Sequence, residues 1–271
     1  MTKMVDLDKA LNTALVATSR SGEILRDLFK RQRTLSRKTD SSIVTEADIE
    51  SENAIKEIIS NSFAEHSILS EEAGFKDKGS NYIWCIDPLD GTTNFLKGFP
   101  VYAVSIALLK DGYPVLGVVH EPESKNTFYA IKGNGASLNG ERLSPGGQGS
   151  KTGDLQVDIL IAIGSIYRKG IPEYLIRILR KAKNRNIGSA ALHLCYVAMG
   201  WFDAYIGDGG YIWDIAGGTV VLEEAGGTIL THGGSPLFPM KEIYKGKIEK
   251  LSFIATGKGL YDKIAKDYLK D

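Results

Sequence analysis

The stretch WCIDPLDGTTNF, residues 84–95, decides how this chain is read. It opens like a buried strand, Trp84-Cys85-Ile86, then sets Asp87 and Asp90 three residues apart around Pro88. A run of small residues, Gly91-Thr92-Thr93-Asn94, follows at once. Taken singly, each acid has a structural explanation: Asp-Pro and Asp-Gly are turn dipeptides, and Asp90 can cap a short helix starting at Thr92. The pair is harder to explain that way, because two carboxylates at the mouth of an apolar strand repel unless a cation lies between them. Hard oxygen donors suit Mg²⁺ or Mn²⁺, and the spacing fits neither an EF-hand loop nor an alternating Asp-x-Asp site. Behind the acids, Gly91 allows close backbone approach, and the N–H groups of a starting helix point at an anion. Cation-gathering carboxylates beside such N–H groups suit phosphoryl transfer.

Outward from this stretch, residues 81–143 read as a largely antiparallel sheet. YIWCID is a strand, VYAVSIALLKDGYPVLGVVHEP is two strands around the hairpin signal Asp111-Gly112, and NTFYAIKGNGASLNGERL adds a hairpin through Gly133-Asn134-Gly135. Two helices precede the sheet. The first carries Leu7, Leu11, Leu15, Leu25 and Leu28 at mostly helical spacing; the second, IVTEADIESENAIKEIIS, has Thr45 as its cap with Asp48 three residues on. The loop-like SPGGQGSKTGD, 144–154, marks a boundary. It separates an N-terminal α+β domain, 1–146, from a C-terminal α/β domain, 147–271, in which strands and helices alternate. The fold class expected is α/β with an α+β N-terminal half.

At 43% hydrophobic and 24% charged, the chain has the composition of an ordinary globular protein. Lys+Arg and Asp+Glu are both 33, so bulk charge points to neither a nucleic-acid nor a membrane partner. No stretch approaches the roughly 18–20 apolar residues of a membrane helix, and the first helix lacks the apolar centre of a signal peptide. Cys85 and Cys195 lie in apolar runs with no zinc-like spacing. They read as buried, reduced thiols of a cytoplasmic protein.

Further acids stand where strands end or helices begin. Glu71 and Glu72 follow the strand SIL, Asp48 opens the second helix, and Asp214 precedes the helix IAGGTVVLEEAG. Each alone is an exposed loop acid or a cap. Together they occupy positions that face a shared crevice in layered α/β proteins. His66, His120, His193 and His232 show no ligand spacing, and His193, in an apolar helix, reads as a core histidine.

VTEAD (44–48), SEEAG (70–74), DPLDGTTNF (87–95), GERL after Asn139, WDIAGG (213–218) and EEAGG (223–227) occur together and in this order. With them the chain resembles the inositol monophosphatase family, magnesium-dependent, lithium-sensitive phosphatases of small phosphorylated polyols and sugars, over about residues 5–260. The resemblance implies a five-layer αβαβα architecture and a homodimer. It implies two or three Mg²⁺ ions, with Mn²⁺ as a substitute. Glu71, Asp87 and the Leu89 carbonyl would hold one; Asp87, Asp90 and Asp214 would hold another. Gly91 and Thr92 would donate N–H groups to the phosphate. The Thr92 hydroxyl, oriented by Asp48, would work with Glu71 to position and deprotonate the attacking water. Lys38 would have an electrostatic role. No nucleophilic Ser or Cys motif is present, so direct attack by water is expected.

Two positions depart from the family pattern. Members that prefer inositol often carry Glu seven residues before the second-half metal Asp; here that position is Gly207, with Asp208 one residue away as a substitute. Ser70 stands where Gly is common. Ser165, Gly188, Ser189 and Ala190, together with Asp90, are the expected polyol contacts. Arg168, Lys169 and Arg185 are either a solvated basic face or a clamp for a second phosphate. The expected reaction is hydrolysis of inositol monophosphate, fructose 1,6-bisphosphate or both. A 3′(2′),5′-bisphosphate nucleotidase is the alternative within the family, and a non-catalytic metal- or phosphate-binding protein the alternative outside it.

Overall fold

The computed structural model describes residues 4–32, 46–144, 159–164 and 170–269. The chain opens with α1 (Leu7–Gln32) and α2 (Glu46–Ser62), then β1 (Ser67–Ser70), β2 (Gly74–Lys76), β3 (Tyr82–Asp90) and the short α3 (Thr92–Lys97). There follow β4 (Ala103–Lys110), β5 (Tyr113–Glu121), β6 (Asn126–Ile131), β7 (Ala136–Leu138) and β8 (Glu141–Arg142). The second half holds β9 (Leu160–Ile163), α4 (Glu173–Lys181), β10 (Lys183–Arg185), α5 (Ala190–Ala198), β11 (Ala204–Gly210) and α6 (Ile212–Glu224). It ends with β12 (Thr228–Thr231), β13 (Leu251–Thr256) and α7 (Tyr261–Ile264).

The strands form an eight-stranded sheet in the order β2-β1-β3-β4-β5-β6-β7-β8 and a five-stranded sheet in the order β10-β9-β11-β13-β12. The larger sheet is antiparallel except where β1 runs parallel to β3. Strand alternation sorts its side chains into two cores. Tyr82, Trp84 and Ile86 face α1 and α2, with Leu25, Ile55 and Ile59. Ile83 and Cys85 face the middle layer, with Leu192, Leu194, Ile215 and Val221 of α5 and α6. Tyr205, Phe253 and Ala255 close that middle layer from the smaller sheet, while Ile161, Ile206 and Ile254 pack outward against Leu175 and Ile178 of α4 and Ile264 of α7. The result is a layered αβαβα architecture.

Two local features place the catalytic candidates. The first is a bulge in β3: Asp87 pairs with Ser105 and Asp90 with Ala103, so three residues of β3 span two of β4. Pro88 has no N–H to give the ladder, which favours the irregularity there. In a regular strand, residues three apart point to opposite faces. The extra residue flips that parity, and both carboxylates come to the face shared with Ser105 and Ala103. The second feature is the close approach of α6 to the sheet. A Cβ on Gly117 of β5 would lie 2.2 Å from the Gly217 carbonyl oxygen, so only glycines let the two backbones meet. That contact seats the first turn of α6, with Asp214, against the middle face of the sheet.

Candidate active site

The chain draws its acids to one point from three elements. Ligand oxygens of Glu71, after β1, Asp87, in β3, and Asp214, in α6, all lie within 4.8 Å of one another. Asp90 joins them electrostatically, its charge acting on all three. Although Glu71 reaches solvent, surrounding protein strips water from its carboxyl and pushes it up to about 8, with Asp214, Glu72 and Asp90 adding to the shift. Asp87, 1% exposed, is raised well above the usual carboxylate range by burial and then by Glu71, Asp90 and Asp214. Burial and then the Asp90 charge raise Asp214 to about 7. Burial raises Asp90 to about 6, against the pull of hydrogen bonds from Ser189, Ala191 and Ala190. Acids that repel this strongly, all offering oxygen, fit a hard divalent cation.

Backbone N–H groups hold the acids in place. Leu89 N–H donates to Asp87 Oδ1 at 3.0 Å, and Tyr211 N–H to Asp214 Oδ2 at 2.7 Å. Asp90 is docked on the start of α5: its Oδ2 accepts from the Ser189 hydroxyl at 2.5 Å and from Ala191 N–H at 2.7 Å. Next to it, Gly91 has φ 97° and caps α3. A Cβ there would meet the Val101 carbonyl oxygen at 3.1 Å, so this turn requires glycine. The Thr92 hydroxyl donates to the Leu89 carbonyl at 3.0 Å, which sets it beside the expected metal-bearing oxygen. Asp48 is buried on α2, and its charge adds to the burial that raises Glu72.

The expected substrate contacts divide. Gly188, at φ 78°, packs on Asn94, and Ala190 starts α5 beside Asp90. Ser189 is 1% exposed and gives its hydroxyl to Asp90, so it orients that acid. Asp208 accepts from Tyr174 and Ser252 hydroxyls, and neighbouring Ile206 packs outward with Leu175 of α4. Strand alternation therefore puts Asp208 on the α4 side and Gly207 on the inner side, where a Cβ would meet the Phe253 ring. Asp208 does not replace the missing glutamate. Arg185 lies exposed on the edge strand β10, donating to the Asn184 carbonyl at 2.8 Å. Lys38, Thr45, Ser165, Arg168 and Lys169 lie outside the described residues.

Three residues that sequence reasoning did not single out also serve the site. Asn94 donates to the carbonyls of Val101 and Ile187, both at 2.7 Å, and so ties α3 to the segment entering α5. Ser51 and Glu52 sit behind the acid-bearing loops. A signal for the last two was present: with Asp48 they fall at helical spacing on the face that Ile55 and Ile59 identify as core. His193 is a core residue as expected, 2% exposed, its Nε2 accepting from Ile187 N–H at 3.0 Å.

The layered fold and the convergent acids place this chain among phosphatases that work with metal ions. Residues 6–267 match the Inositol monophosphatase family. A fructose-1,6-bisphosphatase/inositol-1-monophosphatase of Aquifex aeolicus is 34% identical, with 98% of this chain and 99% of that one aligned. The Nus factor SuhB of Escherichia coli K12 is 37% identical over 83% of this chain and 85% of that protein. The solved inositol monophosphatase of Anabaena superposes with a TM-score of 0.80 at 32% identity, covering 97% of this chain and 96% of that one. The chain belongs to the inositol monophosphatase family, and its activity class is phosphatase.

Proposed function

We propose that the chain is a Mg²⁺-dependent phosphomonoesterase that hydrolyses inositol monophosphate, fructose 1,6-bisphosphate or both by direct attack of water. The observation that carries this reading is the meeting of Glu71, Asp87 and Asp214 within 4.8 Å. Glu71, Asp87 and the Leu89 carbonyl would hold one Mg²⁺, and Asp87, Asp90 and Asp214 a second; Mn²⁺ suits the same donors. Such ions would supply positive charge to offset that of the phosphoryl oxygens and make the attacking water more acidic. Gly91 and Thr92 present N–H groups to the phosphate. Thr92, backed by Asp48, orients the water, and Glu71 accepts its proton. A lone general base contributes only about 10²- to 10⁴-fold, so most of the acceleration rests on this positioning and on charge. The segment from Gly188 to Ala190, with Ser165, frames the substrate, and Arg168 and Arg185 take a second phosphate.

The test is phosphate release by purified protein with Mg²⁺ and with a chelator. Inositol 1-phosphate, fructose 1,6-bisphosphate and 3′-phosphoadenosine 5′-phosphate are compared side by side. Chelator-sensitive release from either sugar substrate supports the reading. Cleavage of the nucleotide alone overturns the substrate, and no release at all overturns the proposal. Asp87→Asn should abolish turnover with the fold intact; near-normal activity would remove the metal assignment.

A cytoplasmic homodimer completes this reading. Buried free thiols at Cys85 and Cys195 suit a reducing compartment, and no helix among the described residues is long and apolar enough to cross a membrane. Leu96 and Phe99, 40% and 50% exposed, offer apolar surface for a second copy. A monomer mass by light scattering would overturn the dimer.

A further inference from the structure

One face of α2 is more polar than its burial leads one to expect. Its buried stripe is Ala47, Asp48, Ser51, Glu52, Ile55 and Ile59. Ile55 and Ile59 feed the core, yet Ser51 and Glu52, 0% and 2% exposed, occupy the same stripe. Burying such groups is costly unless each finds a partner, and the partners here are informative. The Ser51 hydroxyl donates to the Pro88 carbonyl at 2.8 Å. Its oxygen also lies 2.5 Å from the Ser21 hydroxyl of α1. Glu52 Oε1 accepts from the Ser70 hydroxyl at 2.5 Å and from Ala73 N–H at 3.2 Å, and Lys56 pairs with it at 3.0 Å. Two adjacent residues of one helix thus grip both acid-bearing segments from behind. Glu52 holds the loop between Ser70 and Ala73 that presents Glu71. Ser51 holds the β3 bulge that presents the Leu89 carbonyl and Asp90.

We infer that Ser51, Glu52 and Ser70 are positioning residues that lock the Glu71 loop and the Pro88 bulge to one rigid helix, and so set the cation affinity of the site without touching the ion. The inference rests on the metal-binding reading above. Its physical basis is preorganisation: carboxylates that repel spread apart unless the chain behind them is held. It also gives the serine at position 70 a purpose. A glycine there has no hydroxyl to offer Glu52, so this chain closes the clamp with a group the common residue lacks.

The test is a Mn²⁺ titration of metal-free protein, with free Mn²⁺ followed by electron paramagnetic resonance. It compares the parent with Ser70→Ala, Ser51→Ala, Asp214→Asn and the distant core variant Ile59→Val. Each serine variant should raise the Mn²⁺ Kd about 3- to 10-fold, as loss of one buried hydrogen bond does, with kcat recovered at saturating metal. Ile59→Val should lower Tm and leave Kd alone. Serine variants with lowered Tm and unchanged Kd would make the contacts merely structural and overturn the clamp. A parent that binds no Mn²⁺, or an Asp214→Asn variant that binds like the parent, would overturn the metal reading itself, a distinct result.

Discussion

Replacing Asp214 with Asn should stabilise the metal-free protein while removing its response to Mg²⁺. The carboxyl of Asp214 is raised from its ordinary 3.8 to about 7, by burial first and the Asp90 charge second. Ionising it above pH 7 with no cation present therefore costs about 3 pK units, or about 4 kcal/mol. That cost already includes the help of the Tyr211 N–H, 2.7 Å from Oδ2, to the carboxylate, and Asn keeps an oxygen for the same donor. The net gain is about 4 kcal/mol. At roughly 2–4 °C per kcal/mol for a chain of this size, Tm in chelator should rise by about 8–16 °C.

The pH dependence has a definite sign. A carboxyl whose folded pKa is raised binds more protons folded than unfolded between its two pKa values, so stability falls as pH climbs through that window. For Asp214 the window runs from about 3.8 to about 7. The advantage of the Asn variant should vanish near pH 4, grow through that interval and level off above it. Thermal melts by circular dichroism, across pH and with chelator or Mg²⁺, read all of this. A variant no more stable than the parent in chelator at pH 8 would refute the charge-strain argument. So would Mg²⁺ raising the variant's Tm as much as the parent's.

Three further substitutions have defined outcomes. Thr92→Ala should lower kcat more than it changes KM, because its hydroxyl acts on the attacking water; an unchanged kcat with raised KM in steady-state kinetics would reduce Thr92 to binding. Gly117→Ala places a Cβ 2.2 Å from the Gly217 carbonyl oxygen; it should cost about 3 kcal/mol, and an unshifted urea midpoint would refute the close seating of α6 on β5. Arg185→Ala should raise KM several-fold for fructose 1,6-bisphosphate and spare inositol 1-phosphate. An equal response from both substrates would remove the second-phosphate clamp.

Periodicity and turn chemistry carried much of the fold. The Asp111-Gly112 hairpin and the helices α1, α2, α5 and α6 stand where the sequence reading placed them. The short edge strands β2, β10 and β12 were not legible, because three or four residues hold no periodic signal and depend on a neighbour's ladder. At the site, residue types were legible and their pairings were not. Ser189 was expected among the substrate contacts, and nothing in the sequence signalled that its hydroxyl also donates to Asp90. Asp208 was expected as a stand-in for the missing glutamate at Gly207, but one residue along a strand is the opposite face of the sheet. Glu52 and Ser51 were visible only as polar residues on a core stripe, a mismatch whose meaning depends on partners 18 and 37 residues away in sequence.

That mismatch bears on how a chain of zero net charge builds a cation site. Four mutually repelling acids are destabilising together without a cation between them, and among the described residues no cationic side chain forms an ion pair with any of them. What holds them is backbone and hydroxyl: Leu89 N–H on Asp87, Tyr211 N–H on Asp214, Ser189 and Ala191 on Asp90, and the Glu52–Ser70 clamp behind Glu71. A lysine in any of these places would neutralise an acid and compete with the ion. Neutral donors fix the direction of each carboxylate and leave its charge for the cation, so the repulsion that weakens the metal-free fold becomes the affinity of the loaded one.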